Sequence, residues 1–193
     1  MLILASSSGI RARLLREAGL KFGVRPPDVD EDAIKQDQAA TPPDQLAVAL
    51  AEAKARNVSQ ASPQALVLGC DQVLVCDGRR IDKARDINDA RQVLTFLRGK
   101  PHHLISACVL AENGVPVWRH SEQARLCMRD FSDAFLETYL RNEGKLVLGS
   151  VGCYMLEGRG SQLFDSIEGD FFCILGLPLL PLLAALRQRG DLS

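Results

Sequence analysis

Histidine is scarce in this chain of 193 residues, which has three in all. They are His102, His103 and His120, and none sits in H-E-x-x-H or beside a cysteine pair, which argues against a zinc hydrolase. The chain also lacks a G-x-S-x-G elbow, a Walker A lysine motif and a G-x-G-x-x-G after a strand. Serine-hydrolase, P-loop and dinucleotide-binding chemistries therefore lose their usual signatures. Gly158-Arg159-Gly160 is too short to stand in for the last of these. No charge sign is in excess: 23 Lys+Arg face 24 Asp+Glu, a formal net charge of −1. A broad nucleic-acid or membrane footprint needs surplus Lys and Arg, so neither partner is expected, though a local basic pocket is not excluded. The most apolar tail, Leu177 to Leu186, is too short for a membrane span and carries Pro178 and Pro181. Met1 to Ala5 is apolar, but no basic residues precede it, and Arg11 and Arg13 follow, the reverse of a signal peptide. The six cysteines are scattered without a C-x-x-C pair. In surroundings such as Ser106-Ala107-Cys108-Val109-Leu110 they read as small buried hydrophobes in a reducing compartment. A soluble, cytoplasmic protein is the expectation.

What is present is ordinary for a globular chain: 47% hydrophobic and 24% charged residues. A chain of this size buries on the order of 70% of its unfolded surface and needs no disulfide or metal staple. Residues 1–5 predict a buried strand, and Ser6-Ser7-Ser8-Gly9 turns into a helix from about Ile10 to Ala18. Pro26 to Pro43, with the acidic run Asp28 to Asp32, reads as a loop. A helix from about Asp44 to Val58 follows, with Leu46, Ala49, Leu50 and Ala53 on one side. Ala65 to Gly69 reads as a strand buried on both faces, interrupted at Cys70-Asp71-Gln72 and resumed over Val73 to Cys76. Asp77-Gly78 and Asn113-Gly114 are turn signals. Between and after them come a helix near Ile87 to Leu97, strands over His103 to Ala111 and Val115 to Met128, and a helix capped by Ser132. A strand near Leu163 to Ile167 and a helix near Pro178 to Arg187 close the chain. The alternation predicts an α/β fold, a mixed central β-sheet flanked by helices, with no internal repeat or linker.

Three sets of polar residues break apolar elements. Ser6, Ser8 and Arg11 lie at a strand-to-helix junction, where free amides and added donors make an anion site. A plain serine cap with surface arginines is the commoner reading of such spacing. Asp71 ends a buried apolar run, where an unpaired carboxylate is costly. It is therefore expected to bind a cation, pair with a base or face a cleft. Glu31, in the acidic run, is a second carboxylate able to share a divalent ion with it, although acidic runs are usually solvated loops. Lys54, on an Ala-rich helix, and Lys83, after a hairpin turn, are of a type that usually snorkels at the surface. Together with Arg11 and a carboxylate-bound metal they would suit a polyphosphate.

In order and spacing these segments resemble the Maf proteins, nucleotide pyrophosphatases related in fold to inosine triphosphate pyrophosphatases. Leu4-Ala5-Ser6-Ser7-Ser8-Gly9-Ile10-Arg11 looks like the family's L-A-S-x-S-P-x-R, and Asp28-Val29-Asp30-Glu31 its D-x-D-E. Ala53-Lys54-Ala55 is similar to E-K-A, Gly69-Cys70-Asp71-Gln72 to G-x-D-[TQ], and Lys83 falls on the lysine of G-K-P. Glu157 through Gly160, Ile167 through Asp170 and Leu175 through Leu179 resemble the closing signature. Gly9, Ala12 and Asp82-Lys83-Ala84 depart from the usual residues.

The resemblance implies one Maf-like domain over residues 1–193, two-lobed with a cleft. It implies hydrolysis between the α- and β-phosphates of a nucleoside triphosphate, with Asp71 accepting a proton from water. It also implies Glu31 and Asp71 near Mg²⁺ or Mn²⁺, and Ser6, Ser8, Arg11, Lys54 and Lys83 on the substrate. Ile10, Gln72 and Glu157 fall on base-recognition positions. A branch acting on dTTP and UTP has Arg, Thr and Gln there, and one acting on 7-methyl-GTP has Trp, Gln and Glu. Gln72 and Glu157 favour 7-methyl-GTP, with Ile10 in place of the Trp. The resemblance further implies a homodimer. A dTTP/UTP enzyme and a non-catalytic cell-division regulator are the alternatives.

Overall fold

The structure is a computed structural model describing residues 1–192. Its first half comprises β1 (Leu2–Ala5), α1 (Gly9–Glu17), β2 (Phe22–Val24), α2 (Glu31–Asp37), α3 (Pro43–Gln60), β3 (Leu66–Cys76) and β4 (Arg79–Ile81). There follow α4 (Ile87–Leu97), β5 (Pro101–Glu112), β6 (Val115–Met128), α5 (Asp133–Glu143), β7 (Phe164–Glu168), α6 (Phe171–Ile174) and α7 (Leu179–Gln188). Two 3₁₀ segments, Gly144–Gly149 and Arg159–Leu163, lie between α5 and β7. The strands make one seven-stranded sheet in the order β2-β1-β3-β5-β6-β7, with β4 added on β3. β1 is parallel to β2 and β3, whereas β4 and β7 are antiparallel to their partners, so the sheet is mixed as expected.

The chain forms two compact units. Among the described residues, the first comprises 1–72, 105–122 and 170–192. Here β1 and β3 pair Leu4 with Leu68 and Ala5 with Gly69. Strand alternation sends Leu4, Leu68 and Cys70 to one face, where Leu14 and Leu15 of α1 and Leu182 and Leu186 of α7 cover them. Ile3, Ala5 and Val67 go to the other, with Val58 of α3. Both faces are covered, which is why these strands read as unbroken apolar runs. Asn113 and Gly114 both have positive φ, 49° and 76°, the type I′ hairpin geometry that Asn-Gly accepts.

The second unit comprises residues 73–104 and 123–169. Its core is built from Leu94 and Leu97 of α4, Leu126 and Met128 of β6, and Leu136 and Leu140 of α5. Ser132 caps α5 as expected, accepting from the Phe135 amide at 3.2 Å.

Three expectations need correction. The stretch from Pro26 to Pro43 is not all loop, because α2 lies inside it. Asp30 caps that helix by accepting from the Ala33 amide at 2.9 Å, and Glu31 and Asp32 stand in its first turn with Lys35 in its last. It buries no residue, so there was no apolar period to read. Cys70-Asp71-Gln72 does not interrupt β3, which runs unbroken for 11 residues, because a polar side chain leaves the backbone free to extend. The buried stripe of α3 passes through Leu46, Ala47, Leu50, Ala51, Lys54, Ala55 and Val58, and Ala49 and Ala53 fall beside it. The short β2 and α6 carry too few residues for a periodic signal.

His102 is fully buried on β5, its Nε2 2.8 Å from the Tyr154 hydroxyl and its ring 5.9 Å from that of Phe164. Burial pushes its pKa down to about 4. In the unfolded chain it titrates at an ordinary value near 6.5, so between these values the unfolded state binds more protons. Stability is then fully present above the upper value and lost as pH falls through the window. We expect urea denaturation to show the wild type losing about 2 kcal/mol between pH 7 and pH 5 from this group, and His102→Gln to flatten that part of the profile.

Candidate functional site

Gly69 decides how closely α3 approaches β3. A Cβ there would overlap the Ala51 carbonyl oxygen and lie 2.6 Å from the Ala55 nitrogen. Without one, the helix backbone seats directly on the strand, and Lys54, in phase with the buried stripe, is carried to the Asp71 carboxylate. Its Nζ donates to Asp71 Oδ1 at 2.6 Å. The same Nζ lies 2.9 Å from Glu31 Oε1 at the start of α2. Lys54 and Asp71 are 6% and 7% exposed, so this is a buried ion pair extended by a half-open carboxylate. The loop before α2 is fixed to α3 by a reciprocal pair: Asn57 Nδ2 donates to the Asp28 carbonyl and the Asp28 amide to Asn57 Oδ1, both at 3.0 Å.

The serine segment forms a second cluster in the same unit. Ser8 caps α1, accepting from the Arg11 amide at 3.5 Å. Ser6 Oγ, buried, accepts from the Ser8 amide at 3.1 Å and from Arg11 Nη1 at 3.4 Å. Arg11 also donates from Nη1 to the Cys70 carbonyl at 2.9 Å and from Nε to the Gly176 carbonyl at 2.8 Å. The guanidinium thus ties the β1–α1 turn, β3 and the α6–α7 turn together. Gly176 has φ 86°, which favours glycine, and a Cβ there would press on the guanidinium at 3.3 Å.

Gln72, next along β3, points to the face opposite Asp71. Its Nε2 donates to the carbonyls of Cys173 at 3.1 Å and Ile174 at 3.0 Å and to Ser106 Oγ at 2.9 Å. Ser106 in turn donates to the Cys173 carbonyl at 2.7 Å. Any hydrogen bond Gln72 offers a ligand must therefore come through Oε1, as an acceptor. Ile10 is half-buried against the core that holds Leu4 and Leu15. Burial pushes the Cys70 thiol up, but the contact with Cys108 at 3.4 Å and the charges of Arg11 and Lys54 outweigh it and leave the thiol below its ordinary value. All six cysteines are free.

The first unit therefore brings Ser6, Ser8 and Arg11 into one cluster and Glu31, Lys54 and Asp71 into another. Lys83 and Glu157 belong to the second unit. Lys83 is exposed just after β4. Glu157 is exposed on a tight turn closed by the Gly158 amide on the Met155 carbonyl at 3.1 Å. A Cβ on Gly160 would lie 2.5 Å from that same carbonyl oxygen, which keeps the turn tight. Sequence reasoning assigned no role to Gly69, Ser106 or Gly176. The readable signal for Ser106 is a hydroxyl in the otherwise apolar run Leu104 to Ala111, fully buried here.

The close seating of α3 gives a direct test. Gly69→Ala is expected to cost about 2 kcal/mol or more, because backbone rather than a flexible side chain must move. Gly9→Ala, at an open helix start, is expected to be neutral or stabilising by under about 1 kcal/mol. Thermal denaturation of both variants checks the contrast.

A nucleoside triphosphate pyrophosphatase of Maricaulis maris is 50% identical over 191 residues, covering 99% of this chain and 97% of that one. A 7-methyl-GTP pyrophosphatase of Bartonella henselae is 47% identical over 187 residues, covering 97% of this chain and 94% of that one. A solved nucleoside-triphosphatase, dITP/XTP pyrophosphatase, from Mycobacterium abscessus superposes with a TM-score of 0.43 at 13% identity, covering 98% of this chain and 94% of that one. The family model for Maf-like protein matches residues 1–189, and with relatives this similar over their whole length the chain belongs to the Maf family.

Proposed function

We propose that this protein is a nucleoside triphosphate pyrophosphatase, adding water across the α–β phosphoanhydride bond to release a nucleoside monophosphate and pyrophosphate. The observation that carries this reading is the buried Asp71 carboxylate held by Lys54 beside Glu31, in a chain about half identical to enzymes of that name. In this reading Asp71 takes a proton from the attacking water. Arg11, Ser6 and Ser8 line the start of α1, where helix amides and donors favour phosphate oxygens. Lys54 and Lys83 add positive charge for a polyanionic substrate.

A divalent ion is part of the reading. Among the described residues no three His, Cys, Asp or Glu side chains converge on one point. Two carboxylates already sharing one cation do converge, Glu31 and Asp71. Hard oxygens in that number, completed by phosphate and water, fit Mg²⁺ or Mn²⁺. When bound, the ion would neutralise charge developing on the phosphate oxygens. Asp71→Asn keeps the shape and removes the base, so pyrophosphate release with Mg²⁺ or Mn²⁺ is expected to fall by ~10²-fold or more. Chelation by EDTA is expected to silence the wild type in the same assay. Near-wild-type turnover by a folded Asp71→Asn protein would remove Asp71 from the chemistry.

The substrate favoured is 7-methyl-GTP. Glu157 can accept from N1–H and the exocyclic amine of guanine, and its charge favours the cation that N7 methylation creates. Gln72, limited to Oε1, also calls for a donor on the base, and Ile10 supplies an apolar wall. The reading extends to a cytoplasmic homodimer, and no helix of the described residues is long and apolar enough to cross a membrane. A lost paired contact costs ~1–3 kcal/mol, so Glu157→Gln is expected to lower kcat/KM for 7-methyl-GTP roughly 10-fold or more and leave UTP little changed. Wild type preferring dTTP or UTP would overturn the substrate and leave the reaction class standing.

A further inference from the structure

Lys54 and a divalent ion would need the same two oxygens. The ammonium lies 2.6 Å from Asp71 Oδ1 and 2.9 Å from Glu31 Oε1, so both carboxylates already direct an oxygen at one cation. Lys54 is 6% exposed and sits in the middle of α3, whose backbone is pressed against Gly69. The helix therefore cannot back away to make room. What can move is the ammonium end, on four rotatable bonds, and Glu31, on a seven-residue helix that buries nothing.

Resting on the reading that Glu31 and Asp71 take a divalent ion, we propose that Lys54 is the exchangeable cation of this site. The ion enters by displacing the ammonium from the two carboxylates, and the freed ammonium becomes available to the phosphates. Like-charge repulsion forbids both cations between the same two oxygens, and the buried setting screens it little. Two consequences follow from the exchange. The ion alone binds weakly, because its gain is offset by the lost lysine contacts. A polyphosphate strengthens ion binding by giving the displaced ammonium a new partner, so ion and nucleotide bind interdependently.

The test uses the metal alone on the full-length protein. Mn²⁺ affinity, measured by electron paramagnetic resonance without nucleotide, is expected to tighten about 10-fold or more in Lys54→Met, whose side chain has similar length and no charge. Equal or weaker Mn²⁺ binding in a folded Lys54→Met protein would overturn the exchange. Because that variant leaves a buried carboxylate without its partner and can fail to fold, the wild type supplies a second readout. In ¹H–¹⁵N spectra of lysine ammonium groups, the Lys54 signal, assigned by its loss in Lys54→Arg, is expected to shift or vanish as Mg²⁺ is added. Backbone amides of Glu31 and Asp71 report ion binding separately. Amide shifts at those two residues with an unmoved Lys54 signal overturn the exchange and leave the metal reading intact. If those amides stay still at saturating Mg²⁺ and Lys54→Met gains no Mn²⁺ affinity, both readings fall.

Discussion

The candidate site depends on one contact, the seating of α3 on β3 at Gly69. A strand and a helix normally keep their backbones apart by the width of two side chains. Here Gly69 has none, and Ala51 and Ala55 oppose it, so the Ala51 carbonyl and Ala55 amide come within contact of the strand. That shortening lets a lysine in the helix interior reach a carboxylate in the strand interior. With a bulkier residue at 69 the pair would be stretched or broken, and each buried charge would face the desolvation cost alone. The polar chemistry therefore rests on an apolar close approach.

Asp71 was legible in the sequence because a carboxylate in a buried apolar run must find a partner. The break in the strand inferred from it was not real, since side-chain polarity carries no information about backbone pairing. Lys54 was legible too, in principle. It stands three residues after Ala51 and four before Val58, in phase with the buried stripe, and a lysine in that phase points inward. The face first assigned to α3, through Ala49 and Ala53, was rotated from this stripe, because alanine is frequent on every side of the helix. Glu31 was visible only as part of an acidic run. Its place beside Lys54 comes from α2, a helix held by capping and charge, which hydrophobic periodicity does not reveal.

The Arg11 cluster shows where local reading stops. A serine cap followed by arginine is a common helix start, and the cap is as the sequence implied. The partners of the guanidinium, at Cys70 and Gly176, are 59 and 165 residues away along the chain. Neither is marked by anything except the glycine, whose positive φ and whose space are both used. Arg11 is therefore both a donor at a helix start and a tie holding three segments of the first unit in register.

Asp71 and Gln72 are neighbours in sequence and look towards opposite faces of β3. Asp71 answers to α3 through Lys54, and Gln72 answers to α6 through the carbonyls of Cys173 and Ile174. They share no side-chain partner, so a substitution on one face reaches the other only through the strand backbone, which the ladder holds fixed. A strand built this way lets the charged cluster on one face stay constant while the polar contacts on the other change.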